Sequence, residues 1–389
     1  MAITNKPFMR ISTLLAFLFL SSLQLDARTW TSKEGKSISA ELVSFDGSTA
    51  ILKLGNGQQV PLTLEKLCPG DIDFLKKTAA EEEDTGVDNP DKWPEIVTGP
   101  SDFKLKEVHA RKNNAGKTIY QTKHFKFVCD TPLADDAQEA VGKLYECTWT
   151  AIRAMPLPIP RVKRQSYLFD AVLTKDMESY RAAGGPEGSA GVFKSQTAVT
   201  GRKLRENDIM DDKTIVPYPG LGISVEGKLT DNKVSSHVLA HEITHQMTVG
   251  LFDTITWINE GFADYVGAIP YDGKQFDFSG AFQAIVARGK QYNPMQLPFT
   301  FEQFLTMGQT EFYAQGHRNY TLGTLCVAFF FHLDGKEGIK DFSDYMNALA
   351  KKDKKPLKKL LDKRKINELE EAFTKAWKNQ GLDITFKSP

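Results

Sequence analysis

The hydrophobic pattern along the chain changes character near residue 80. Between Arg28 and Lys77, short alternating runs ("SISAELVSF", "TAILKL", "QQVPLTL") are separated by the turn signals "DGS" and "GNG". Alternation at every second position puts one set of side chains on a core face and the other in water, which predicts a small antiparallel β-barrel. From about residue 101, strand-like and helix-like periods interleave. "KHFKFVCD" and "QSYLFDAVL" read as strands, Ala134 to Met155 as a helix, and "KVSSHVLAHEITHQMT" as a second helix. Further helices are expected around Glu260 and Leu325, and Ile366 to Asn379 is amphipathic. The pattern predicts an α+β protein: a small N-terminal barrel, then a mixed α/β front half leading into a mainly helical back half.

The stretch between the two parts, "TAAEEEDTGVDNPDKWPEIVTGPSD", is acidic and carries Pro90, Pro94 and Pro100. It buries little and reads as a linker. At the N-terminus, Lys6 and Arg10 precede the uncharged run Ile11 to Leu23, and Ala27 offers a small residue for cleavage before Arg28. This is the layout of a secretory signal peptide, and the run is shorter than the roughly 20 residues that a spanning helix needs. The expected organisation is therefore a signal peptide (1–27), a barrel (28–78), an acidic linker (79–100) and a large second domain (101–389). The mature chain is expected to be secreted or periplasmic, with no transmembrane segment after signal removal.

Composition narrows the function less than the pattern does. With 49 Lys+Arg against 49 Asp+Glu in 389 residues, the formal net charge is +0, which gives no support for nucleic acid as a partner. The basic run "KKDKKPLKKLLDKRK", Lys351 to Lys365, is broken by Asp residues and a proline and reads as a solvated helix face. Of the cysteines Cys68, Cys129, Cys147 and Cys326, none has zinc-cluster spacing. A Cys129–Cys147 bridge and four buried thiols are both compatible with an exported chain. There is no GxSxG elbow, P-loop, GxGxxG after a strand, or CxxC pair.

The chemistry concentrates in "HVLAHEITHQ", His237 to Gln246. At 100° per residue, His241 and His245 lie about 40° apart and one turn displaced, so both rings can reach one ion. Glu242 sits on the flank of that face, placed to reach a water as a general base without being a ligand. His237 extends the stripe but lies about 12 Å from His245 along the axis, so it is expected beside the site or in the core. "HQMTVGLFD" places Gly250 and Asp253 where a metzincin's glycine and third ligand would not fall. The better third ligand is Glu260 in "WINEGFADY", 15 residues after His245 (260 − 245), with Gly250 as a helix stop between them. Two histidines and one glutamate leave a zinc ion a fourth position for water. Asn259 and Asp264 are placed to accept the second ring N–H groups of the histidines.

HEITH followed by WINEGFADY resembles the gluzincin metallopeptidases: "NEGFA" is close to the second metal motif of aminopeptidase-N-like enzymes, and E-x-x-x-D after Asn matches thermolysin-like ones. "FKFVCDTPL" and "MESYRAAGGPEGSAGVF" are similar to the bacterial peptidase-MA-like family. The resemblance implies a Zn2+ site, a peptide or protein substrate and an oxyanion-stabilising tyrosine in a Y-x-x-G pattern. This sequence offers Tyr313 in "YAQG" and Tyr320 in "YTLG"; the apolar run after Tyr320 favours it. The family's substrate-binding edge strand would be "LGISVEG", Leu221 to Gly227, which lacks the GxMEN signature; the lean is to an endopeptidase. The glycine-rich "GGPEGSAG" is expected as a loop. In the first module, "RTW", "AELVSF" and "LEKL" occur in the order of the Sla homology domain, an SH3-like barrel, implying a protein or envelope ligand. The reading that competes with a peptidase is a non-catalytic, zinc-containing scaffold of the cell envelope that docks through this module.

Overall fold

The computed structural model describes residues 28–45, 49–56, 58–83, 93–99, 106–108, 116–159, 168–195, 213–231, 234–249, 251–252, 255–361 and 364–388. The expected signal peptide lies outside these residues, as do Pro90, Pro100, Gly250 and Asp253. The fold is α+β, and the chain divides into two compact units, Met1–Gly86 and Val87–Pro389.

In the first unit, strands β1 (Arg28–Thr31), β2 (Ser37–Phe45), β3 (Thr49–Leu54) and β4 (Gln59–Thr63) form an antiparallel meander in that order. The alternation buries Trp30, Ala40, Leu42, Ala50 and Leu52 against Leu67 and Leu75. Among the described residues the sheet is open rather than a closed barrel. After a turn at Leu64–Lys66 the chain meets β1 through a single bridge, Ser32 to Leu67. Pro69 then starts helix α1 (Pro69–Glu83), and its missing N–H suits a helix start but not a fifth strand. Asp71, buried in the first turn of α1, pairs with Arg28, whose guanidinium lies 3.7 Å from the Phe74 ring centroid. Helix α1 continues past residue 78, into the span expected as linker.

The second unit begins within that span. Trp93 packs against Tyr265, Phe278 and Phe331, and β5 (Ile96–Thr98) pairs antiparallel with β12 (Gln275–Asp277). Apolar Trp93 and Val97 have more to gain from this core than from water. The main sheet has six strands, ordered β10-β11-β9-β8-β7-β6: β6 Lys106–Val108, β7 Thr118–Gln121, β8 Phe125–Cys129, β9 Phe169–Thr174, β10 Val192–Lys194 and β11 Lys213–Pro217. Strands β8, β9 and β11 run parallel; β6, β7 and β10 are antiparallel to their neighbours. Parallel β8 and β9 need a long crossover, and helix α2 (Asp135–Arg153) supplies it. Strict alternation in β8 turns Phe125, Phe127 and Cys129 into the core, where Tyr145 of α2 meets both phenylalanines edge-on. A short helix, α3 (Met177–Ala182), follows β9.

The back half is helical, as the sequence predicts: α4 (His237–Thr248), α5 (Thr256–Ala268), α6 (Phe278–Lys290), α7 (Phe301–Leu305), α8 (Gln309–Ala314), α9 (Gly316–Ala328), α10 (Gly335–Ala350), α11 (Leu357–Leu361) and α12 (Ile366–Asn379). Helix α5 is buried on nearly all sides and is the hub of this half. It packs on α4 on one side and on α9 on the other. Gly261 and Gly323 make the second approach so close that a Cβ on Gly261 would lie 2.5 Å from the Gly323 backbone. No helix among the described residues is long and apolar enough to cross a membrane.

One local expectation is corrected, and the cysteine state left open by the sequence is decided. Leu221 to Gly227 is not a strand; it leaves a 3-10 turn at Tyr218–Leu221 and makes one bridge, Ile223 to Leu229. Gly222 and Gly227 stand there with φ of 70° and 82°, values that turn the chain and that an extended strand excludes. The sheet edge nearest α4 is instead β10, entered directly from the loop Gly184 to Gly191. All four cysteines are free thiols. Cys129 faces the sheet core while Cys147 on α2 points at the backbone carbonyls of Val97 and Lys274, so of the two arrangements the sequence left open the bridge does not form; three thiols are buried and Cys68 is half-buried.

Candidate metal centre

Helix α4 delivers His241 and His245 to one face, as the four-residue spacing requires, and their Nε2 atoms are 3.0 Å apart. Glu260 comes from the first half of α5, and its Oε2 lies 3.3 Å from the Nε2 atom of each histidine. The three ligand atoms thus form a nearly equilateral cluster. Each ring is turned by a partner on α5: His241 Nδ1 bonds Asp264 Oδ1 at 2.9 Å, and His245 Nδ1 bonds Asn259 Oδ1 at 3.2 Å. With Nδ1–H donating in both rings, both Nε2 atoms face the same point as Glu260 Oε2, and each neutral ring offers its lone pair there.

Chemistry and spacing both suit a cation there. Three ligand atoms converge, and Glu260 Oε2, in a residue 4% exposed, makes no well-formed hydrogen bond among the described residues, only the two 3.3 Å approaches to the imidazoles. A buried carboxylate oxygen without a partner is costly unless a cation satisfies it. Tetrahedral ligands with bonds of about 2.0 to 2.1 Å stand about 3.3 to 3.4 Å apart, close to the separations here. Burial raises the Glu260 pKa, but the adjacent His245 and His241 more than reverse this and hold it well below the usual carboxylate range. For His241, burial lowers the pKa, and Asp264 and Glu260 outweigh it, so in the metal-free chain its second proton persists well above the usual range. A bound cation would take the place of that proton.

Around the cluster stand the other residues expected from the sequence. Glu242 is buried, its Cγ beside Gly191, where a Cβ would come within 3.3 Å. That glycine admits the carboxylate between α4 and the sheet edge. Tyr313, at the end of α8, donates from its hydroxyl to Glu260 Oε1 at 2.6 Å. Tyr320, in the second turn of α9, stacks on His241 with ring centroids 6.1 Å apart, and it lies equally far from the Tyr313 ring. Burial and then the Glu260 charge push both phenols upward, so each remains a proton donor at neutral pH. The geometry brings both tyrosines to the site and does not choose between them. His237 is at the first position of α4 and is not part of the cluster.

Gly261 follows Glu260 in the sequence but serves packing: it lets α9 press against α5, which brings Tyr320 beside His241 and Thr324 beside Asp264. Two residues of the site were not foreseen. Arg288 on α6 pairs with Asp264 Oδ2 at 2.7 Å, and Thr324 donates to the same oxygen at 3.4 Å. Arg288 was detectable in principle, since it continues the buried Ala281 and Ile285 stripe of α6 at helical spacing, where a cation demands a partner. Comparison with protein-family models, curated proteins and solved structures gives no match to this chain.

Proposed function

We propose that the chain is an exported zinc-dependent metallopeptidase, its second unit a gluzincin-like domain of the peptidase-MA-like type and its first a docking module of the Sla homology, SH3-like type. The observation that carries the reading is the convergence of His241 Nε2, His245 Nε2 and Glu260 Oε2 on one point, with the unliganded carboxylate of Glu242 on the next residue of the same helix.

His241, His245 and Glu260 would hold the ion, and Asp264 and Asn259 would fix the rings. Zinc in such a set lowers the pKa of a bound water and polarises a carbonyl. Glu242 takes a proton from the attacking water and later passes it to the leaving amine. Tyr320, and Tyr313 once its hydroxyl turns from Glu260 Oε1, both kept protonated, are the donors that would serve a developing oxyanion, an interaction whose loss typically costs a factor of about 10² to 10³ in turnover. Beside Glu242 lies Gly191, at the end of the glycine-rich loop that enters β10.

The test is cleavage of a diverse peptide mixture, read by mass spectrometry, beside Glu242→Gln with zinc content measured on both proteins. The expected result is cuts that vanish in the variant while zinc stays bound. A variant that keeps cutting, or that loses its zinc, overturns the role of Glu242. Zinc binding with no cuts from either protein moves the chain to the scaffold reading, in which the first unit's ligand carries the biology.

A further inference from the structure

Arg288 sits outside every motif in the sequence, yet it closes a chain of contacts that ends at the ligand cluster. Its Nη2 meets Asp264 Oδ2 at 2.7 Å; Asp264 Oδ1 accepts from His241 Nδ1 at 2.9 Å; His241 Nε2 faces Glu260 and His245. On its outer side, Arg288 Nη1 approaches His237 Nε2 at 3.5 Å. We infer that Arg288 is a positioning residue of the metal centre, acting through Asp264 to hold the His241 ring in its ligating orientation. The inference rests on the zinc-site reading above and adds a residue to it.

The argument is geometric. Asp264 is 3% exposed and carries two oxygens with different duties. Without a partner on Oδ2, the carboxylate can rotate about its Cβ–Cγ bond and exchange the oxygen that His241 meets. Thr324 also donates to Oδ2, at 3.4 Å, a weak contact beside the charged one at 2.7 Å. Arg288 comes from α6, a helix that supplies no ligand, so it ties the orientation of a ligand on α4 to the packing of α6 against α5. His237, the first residue of α4, meets the same guanidinium from the helix that bears both histidine ligands. This gives the third histidine of the stripe a place in the site without making it a ligand.

The experiment measures zinc affinity by chelator competition, with the visible spectrum of the Co2+-loaded protein as a second readout, for wild type, Arg288→Met, Arg288→Lys, Asp264→Asn and the Arg288→Met/Asp264→Asn double variant. Outer partners of ligating histidines typically carry a factor of about 10 to 100 in metal affinity. Arg288→Met is expected to weaken zinc about tenfold with a changed Co2+ spectrum, and Arg288→Lys, which keeps the charge but not the fork, is expected to fall between it and wild type. In the Asp264→Asn background, Arg288→Met should add nothing, because its route to the metal is already cut. The inference is overturned if wild type binds zinc and folded Arg288→Met binds it within twofold, or if the two losses simply add. Should the Met variant not fold, the Lys variant decides by the same comparison. Wild type that binds no zinc would instead sink the zinc-site reading itself.

Discussion

Replacing Gly261 by alanine sets two physical terms against each other. In an exposed helix interior, Gly→Ala stabilises by about 1 kcal/mol, because glycine has more backbone freedom to lose. Here the added Cβ would lie 2.5 Å from the carbonyl carbon and oxygen of Gly323 and 3.0 Å from its Cα. Ordinary contact begins near 3.4 Å, so α5 and α9 must part by about 0.9 Å (3.4 − 2.5). The obstacle is backbone, which cannot swing aside as a side chain can. Overpacking of this kind costs about 1 to 3 kcal/mol, enough to cancel the propensity gain and leave a net loss. The displacement also acts on the site, since Glu260 and Asp264 ride on α5 while Tyr320 and Thr324 ride on α9. A shift near 1 Å in such a constellation can cost a factor of about 10² in rate. The assay is denaturant unfolding of wild type, Gly261→Ala and the control Gly316→Ala, each metal-free and zinc-loaded. Gly316 opens α9 with nothing within 4 Å of its Cβ position, so the control should stay within about 0.5 kcal/mol of wild type. A Gly261→Ala protein as stable as wild type, or more so, would refute the close-packing argument and return the residue to simple propensity.

Three further outcomes are expected. Zinc binding should release a proton near neutral pH: His241 holds its second proton well above the usual range in the metal-free chain, so the ion must displace it. Affinity should then rise with pH until the raised pKa is passed; calorimetry in buffers of different ionisation enthalpy counts the proton, and zero release would contradict the coupling. The Glu146 carboxylate, which burial alone would raise, is held below its usual range by His124, whose Nδ1 lies 2.6 Å from it. Its folded pKa is depressed, so its contribution is present above the unfolded value of 4.5 and lost as pH falls through the lower folded value. Glu146→Gln should flatten the acid limb of the stability curve, and an unchanged limb would remove this pair as a cause. Finally, Cys129 and Cys147 are pushed up by burial to about 12, and Cys326 is raised by burial as well, so iodoacetamide at pH 8 should label half-buried Cys68 first. All four thiols should react after unfolding, and a mass lower by two hydrogens would instead reveal a bridge.

The shared face of His241 and His245 and the Glu260–Asp264 spacing were legible because they depend on short-range geometry. A helix puts positions four apart on one face whatever surrounds it, so His241 and His245 had to meet, and Asp264 had to follow Glu260 by one turn. The strands β2, β3, β4 and β8 were legible for the same reason: alternation at every second residue already states which side is buried. The expected Leu221–Gly227 strand failed because that stretch alternates over only a few residues, while its two left-handed glycines are invisible until the backbone is known. The β5 strand was hidden in an acidic, proline-bearing segment, since a three-residue strand has no period to read and is held by its partner, β12.

What the sequence determined by itself is therefore local: the periods of the main elements, the face of α4 that carries the imidazoles, and the identity of the acids able to serve them. Only the tertiary structure decided what meets across elements. It set the approach of α9 to α5 through Gly261 and Gly323, the arrival of Tyr313 and Tyr320 at Glu260, the pairing of Arg288 with Asp264 and the separation of Cys129 from Cys147. The physical reason is one of range. Backbone sterics and helical repeat act over one or two turns, whereas these contacts join residues tens of positions apart, and packing of whole helices and sheets decides which of them touch.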